Sequence, residues 1–293
     1  MTVPGGWLAD DLAAALDNVP GCLERLHLAG ILAQAARVRL DGAVTRAIAE
    51  TVRAAAGSVE RNLDRLSLLG TPALWIEYPH ADRIAAFSGP AAPSQGGLAP
   101  RDVGCLLAID PDQPAHVAVF VCWRLCDGTI RHSYAMLHWN SAAIFSAAGI
   151  HGDARTGGGG TGACGRLMAL ATASVPPGFA AEMEIWEDIP RSDADAFASA
   201  LRRTERDALG EHLFLLASLL MLGSSAVQFA AVDREPGTGQ AWEVGMAKAP
   251  ARRGWPWARP AAGFSPRWSG PLAWTAPPTQ PGVTEHGRSV PKR

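Results

Sequence analysis

With 293 residues, 48% of them hydrophobic, the chain carries enough apolar material for one large core or two smaller ones. Its formal charge of −2 is unevenly spread: residues 248–293 hold eight basic groups and one acid, Glu285, a net +7 that leaves the preceding residues at −9. An acidic body argues against nucleic-acid binding by that body, while the basic tail has the composition of an interaction segment.

Basic charge is almost entirely arginine, with Lys248 and Lys292 the only lysines, as in products of GC-rich bacterial genomes. The five cysteines, Cys22, Cys105, Cys122, Cys126 and Cys164, are odd in number and three lie in apolar runs. Free thiols in a reducing compartment are expected, not a disulfide framework. The start of the chain has no basic stretch followed by an apolar one, so cytoplasmic localisation is expected.

Residues 1–70 read as a helical section. Helices are expected over about 8–18 and 22–36, divided by Pro20-Gly21. Leu40, Val44, Ala47, Ile48, Val52 and Ala55 then recur at helical spacing. Gly57 is expected to stop that helix and Ser58 to cap another, with Val59, Leu63 and Leu66 on one stripe. This section carries seven arginines and eight acids, too little positive charge for a DNA-binding helix-turn-helix.

From Thr71-Pro72 the pattern becomes strand-like, over 71–247. Ala73–Tyr78 and Val103–Ile109 are short apolar runs. Val117–Cys126 and Thr129–Trp139 flank Asp127-Gly128, a two-residue hairpin signal. That turn sets Cys126 opposite Thr129 and Trp123 opposite His132. Val117, Val119, Val121 and Trp123 would then share the core face with Ile130, His132, Tyr134 and Met136. Met183 and Ile185 alternate with Glu182 and Glu184, the pattern of a half-buried strand over 181–186. A helix is expected from Ser192–Asp195 to about Leu222, then strands over 226–232 and 242–246. Beyond Lys248, nine prolines and four tryptophans without periodicity read as a disordered tail.

Four features invite chemistry. Cys122, Cys126, His132 and His138 have metal-ligand side chains, but residues four apart on a strand stand about 13 Å apart, and the expected register points the histidines away from the cysteines. No metal and no cofactor are therefore expected. Gly160-Thr-Gly-Ala-Cys-Gly165 matches the dinucleotide-binding fingerprint in letters, yet no strand precedes it, and Arg166-Leu167 stand where a phosphate loop has Lys and Ser/Thr. Gly160, Gly162, Gly165 and Arg166 are its candidate phosphate-binding residues, beside the reading as a plain flexible loop. Leu213–Val232 is uncharged over the length of a membrane span, but Gly223-Ser-Ser225 and Gln228 interrupt it, so a buried helix running into a strand is expected and not membrane insertion. In the tail, Arg252, Arg253, Trp255 and Trp257 are the candidate partner-binding residues, beside a solvated tail of no defined role. The change of composition after about Gln240 also fits a shifted reading frame. Glu77, Glu187 and Asp233 fit general acid–base roles no better than a solvated surface.

The run Ser67–Tyr78 (Ser-Leu-Leu-Gly-Thr-Pro-Ala-Leu-Trp-Ile-Glu-Tyr), with Val103-Gly104 and the leucine-rich helix at 213–222, resembles stretches of uncharacterised proteins encoded in alphaproteobacterial prophages and related genomes. The similarity covers about residues 60–235 and implies an accessory role in a mobile element. The basic C-terminal segment of those proteins has no counterpart here.

The expected architecture is α+β: N-terminal helices, a mostly antiparallel sheet centred on the hairpin, a covering helix and a disordered tail. The expected function is that of a non-enzymatic accessory or interaction protein, with a phosphorylated-ligand site at 157–166 as the alternative.

Overall fold

In the computed structural model the described residues are 6–17, 23–63, 66, 71–88, 100–109, 116–140, 167–186, 193–233 and 239–247. They form six helices and a nine-stranded mixed sheet. In chain order the elements are α1 (Leu8–Asp17), α2 (Leu23–Gln34), β1 (Ala36–Leu40), α3 (Gly42–Glu60), β2 (Ala73–Pro79), α4 (His80–Ser88), β3 (Pro100–Ile109), β4 (His116–Leu125), β5 (Ile130–His132), β6 (Met136–Asn140), β7 (Ala171–Ser174), α5 (Pro177–Trp186), α6 (Ala194–Leu222), β8 (Val227–Ala231) and β9 (Ala241–Met246). The strand order is β7-β6-β4-β3-β2-β1-β9-β8, with β5 also paired to β4. The class is α+β, as expected. Among the described strands only β1–β2 and β1–β9 are parallel pairs.

One strand falls where only helices were expected. Ala36-Arg-Val-Arg-Leu40 alternates with period two, and Ala36, Val38 and Leu40 bury against α3 and α6 while Arg37 and Arg39 point to the opposite face. β1, α3 and β2 make a parallel crossover unit, since a parallel neighbour needs a long connection. Asp41 caps α3 by accepting from the Val44 amide at 2.7 Å. The break expected at Gly57 falls two residues earlier, where two helical stretches meet. The helix kinks at Ala55 (φ −150°, ψ 44°) and continues to Glu60, so Val59, Leu63 and Leu66 reach the same core as Val44 and Ile48.

Both faces of the sheet are covered. α3, α4 and α6 pack on Leu74, Ile76, Val103, Cys105, Val119 and Val121. α1, α2 and α5 pack on Trp75, Leu106, Phe120 and Cys122. The chain is thus layered helix–sheet–helix, which explains why β2, β3 and β4 read as continuous apolar runs. Gly104 lies under Trp75: a Cβ there would come within 2.1 Å of the indole. Only a residue without a side chain lets that ring lie flat on the sheet.

The hairpin carries the main correction. Its loop has three residues, not two. Leu125 N donates to Thr129 O at 2.8 Å and Gly128 N to Leu125 O at 3.0 Å, with Gly128 at φ +91°. This is a tight turn followed by one positive-φ residue. The register moves by one residue, and Cys122 faces His132 and Trp123 faces Arg131. A slip of one moves every side chain of the second strand to the other face. His132 therefore lies with Cys122 and Phe120 under α5, and Arg131 lies with Trp123 toward α6. The strand expected over 129–139 is also interrupted: between Cys122–His132 and Val119–Leu137 it holds two extra residues, forming a bulge at Ser133–Ala135.

Residues 181–186 are helical, in α5, and not a strand. Six alternating residues were too few to distinguish the two periods. Pro177 sits at the first helical turn, where its missing N–H is not needed, and Phe179 and Met183, four apart, are both buried. The uncharged run 213–232 divides into the end of α6, the cap Gly223 and β8. No helix among the described residues is long and apolar enough to cross a membrane.

Candidate functional site

The bulge and the end of β7 together make a cleft. β7 pairs with β6 from Trp139–Ala171 to Met136–Ser174. Pro176-Pro177 then carries the chain off into α5, and proline cannot continue a ladder. Beside β5 no further described strand is paired, and a cleft of about 710 Å³ opens there. Six consecutive residues, Thr129 to Tyr134, line it along one side.

Two walls of different character close the cleft. Leu12, Ala15 and Leu16 of α1, with Met183 of α5, are apolar, and Ile130 lies on the same face of the sheet. Across β5, Arg131 and Trp123 meet Ala200, Arg203, Thr204 and Asp207 of α6. Thr204 accepts from the Tyr134 amide at 3.2 Å and lies 3.4 Å from the Ser133 hydroxyl, which itself accepts from the Ala135 amide at 3.0 Å. These bonds fix the bulge to α6. Burial pushes the Asp207 carboxyl above its usual range, against the pull of Arg203 and Arg206.

His132 and Glu182 lie at the base. Their Nε2 and Oε2 atoms are 3.3 Å apart, and both side chains are largely buried. The imidazole is packed among Phe120, Phe179 and Tyr134, at centroid distances of 5.3–5.5 Å. Its Nδ1 donates to the Ser133 carbonyl at 3.0 Å, because a carbonyl can only accept. A general base must present one nitrogen to its substrate. Here one nitrogen is committed to backbone and the other faces a carboxylate, so the dyad holds the cleft floor in place.

Several other buried ionic groups hold elements of the fold together. Glu77 is not a solvated acid: it accepts from Leu8 N at 3.0 Å, Trp75 Nε1 at 2.9 Å and Arg39 Nε at 2.6 Å, and so caps α1. Burial still lifts its carboxyl above the usual range. Arg124 bonds Asp11, Asp102 and the Gly6 carbonyl, and Arg37 bonds Asp10. Together they fasten α1, one wall of the cleft, to the sheet. On the other face Tyr78, Arg83 and Glu211 tie β2 and α4 to α6.

Cys122 and His132 share a face, contrary to the expected register, while Cys126 is exposed in the turn and His138 of β6 bonds Ser174 of the neighbouring β7 at 2.8 Å. Among the described residues no group of three or more His, Cys, Asp or Glu side chains could hold a metal ion. Burial pushes the Cys105 and Cys122 thiols well above their ordinary range, so neither is a ready nucleophile. Gly160, Gly162, Gly165 and Arg166 lie outside the described residues, as do Arg252, Arg253, Trp255 and Trp257. Leu167, which follows that glycine-rich stretch, accepts from His212 Nε2 at 2.8 Å.

Sequence reasoning missed Glu182, Arg131 and Arg203 as neighbours. A helical reading of 177–186, prompted by Pro177 and the Phe179–Met183 spacing, would have brought Glu182 to the sheet. The chain matches no protein-family model, and no curated protein or solved structure is similar to it.

Proposed function

We propose that this protein is a non-enzymatic interaction protein that receives a partner in the cleft beside β5. One observation carries the reading: the cleft follows six consecutive residues of the hairpin where the sheet is stepped, and the titratable pair at its floor is engaged internally. A cleft that presents a strand edge, apolar side chains and charges of both signs, with its His132–Glu182 pair engaged internally, has the character of a recognition surface.

The resemblance of Ser67–Tyr78 and Val103-Gly104 to prophage-encoded proteins supports placing that interaction in a mobile element. The basic tail, with Arg252, Arg253, Trp255 and Trp257, is proposed as an additional contact to the same partner. Both parts are tested by capturing partners from the native host with three baits: the full chain, the Ala15→Trp variant that fills the cleft, and the chain ended at Ala247. The expected result is loss of the principal partner with Ala15→Trp and weakened capture without the tail. Capture unaffected by Ala15→Trp would refute the cleft reading.

A further inference from the structure

We infer that the occupant of the cleft is an extended peptide segment that adds to β5 as a strand, with an apolar side chain toward Leu12, Leu16 and Met183 and an acidic neighbour toward Arg131 and Arg203. The inference rests on the proposed function above and specifies its partner.

Strand alternation supplies the first argument. Successive side chains of a strand point to opposite faces, so a cavity confined to one face touches every second residue. This cleft touches Thr129, Ile130, Arg131, His132, Ser133 and Tyr134 in succession, and therefore runs along the edge of the strand. The ladder gives the direction of the backbone groups. Thr129 O and Ser133 N bond β4, so the odd-numbered residues face inward and the Ile130 amide and carbonyl face the cleft.

Among the described residues the place is also one strand short. β7 continues the sheet beyond β6 as far as Ser174 and stops at the bulge, so an added segment would prolong the line of β7. Main-chain bonding to an edge of this kind gives affinity, and pockets for alternate side chains give specificity.

The walls define those side chains. On the α1 and α5 side Leu12, Leu16 and Met183 take an apolar group. On the α6 side Arg131 and Arg203 outnumber Asp207, so the complementary residue is acidic. A nucleic acid fits less well, since it would bring phosphates to a cleft floored by Glu182 in a body of net negative charge.

The test is a fluorescence-polarisation screen of the full chain against N-acetylated, C-amidated hexapeptides varied at every position. Peptides with an apolar residue next to an acidic one should be enriched. Replacing that acid by Lys, or methylating the central backbone nitrogen, should each weaken the best peptide about tenfold. Arg131→Glu should invert the preference toward the Lys peptide, a rescue that a merely unfolded variant cannot give. Amide exchange at Ile130 should slow on binding. Absence of binders, indifference to N-methylation or an unchanged preference in Arg131→Glu would each overturn strand addition. If Ala15→Trp nevertheless abolishes capture of the native partner, the cleft remains the binding site and only the extended-peptide inference fails.

Discussion

Glu211 takes the guanidinium of Arg83 at 2.5 Å across 128 positions of sequence. Its other oxygen accepts the hydroxyl of Tyr78, whose phenol burial pushes well above its ordinary range, so it remains a donor. Arg83 also donates to the Gly210 carbonyl at 2.9 Å and lies over Phe214. Removing one member of such a buried pair leaves the other charge uncompensated. Glu211→Ala is expected to cost about 3–5 kcal/mol of unfolding free energy, read by urea denaturation. Glu211→Gln should cost less, and Arg83→Met combined with Glu211→Leu should recover much of the loss.

His212 gives a pH dependence of definite sign. Its side chain is buried, and burial brings its pKa down to about 4 although the Leu167 carbonyl favours the proton. The unfolded chain takes up that proton near the ordinary value, so the folded state is disfavoured as pH falls from about 6.5 to 4. About 3 kcal/mol should be lost over this window. Burial also lowers His80, which acts in the same direction. The difference between wild type and His212→Gln, measured from pH 7 to 4, isolates His212, and the variant should show the shallower slope.

Gly104 should tolerate no side chain. Trp75 above it is fully buried and pinned through Nε1 to Glu77 at 2.9 Å, so the indole cannot move aside. Gly104→Ala is expected to reach or exceed the upper end of ordinary overpacking costs, about 3 kcal/mol. A fall in thermal midpoint with altered tryptophan emission would show it.

Gly128 is constrained by conformation alone. Its φ of +91° disfavours any side chain, while nothing lies within 4 Å of a built Cβ. Gly128→Ala should cost about 1 kcal/mol and Gly128→Asn less, with the dependence on urea unchanged.

Much of the fold was legible in the sequence, because long or strongly apolar segments declare their period. α6, β2, β3, β4, β8 and β9 fall within a few residues of their expected places. The site was not, and three small ambiguities explain it. Asp127-Gly128 fits a two-residue and a three-residue turn equally, yet the choice decides which face His132 occupies. Ala181–Trp186 is too short to separate strand from helix, which concealed Glu182. Arg37, Glu77 and Arg124 look solvent-exposed by type, and only the packing of α1 over the sheet buries them.

The claim on which the functional reading rests is that a partner enters beside β5. Placing a photo-crosslinking amino acid at Ala15, on the cleft wall, and separately at Gln228, exposed on the distant strand β8, tests it in the native host. Irradiation should yield a discrete adduct from position 15 and none from position 228. An adduct from 228 with none from 15 would contradict the placement of the binding site.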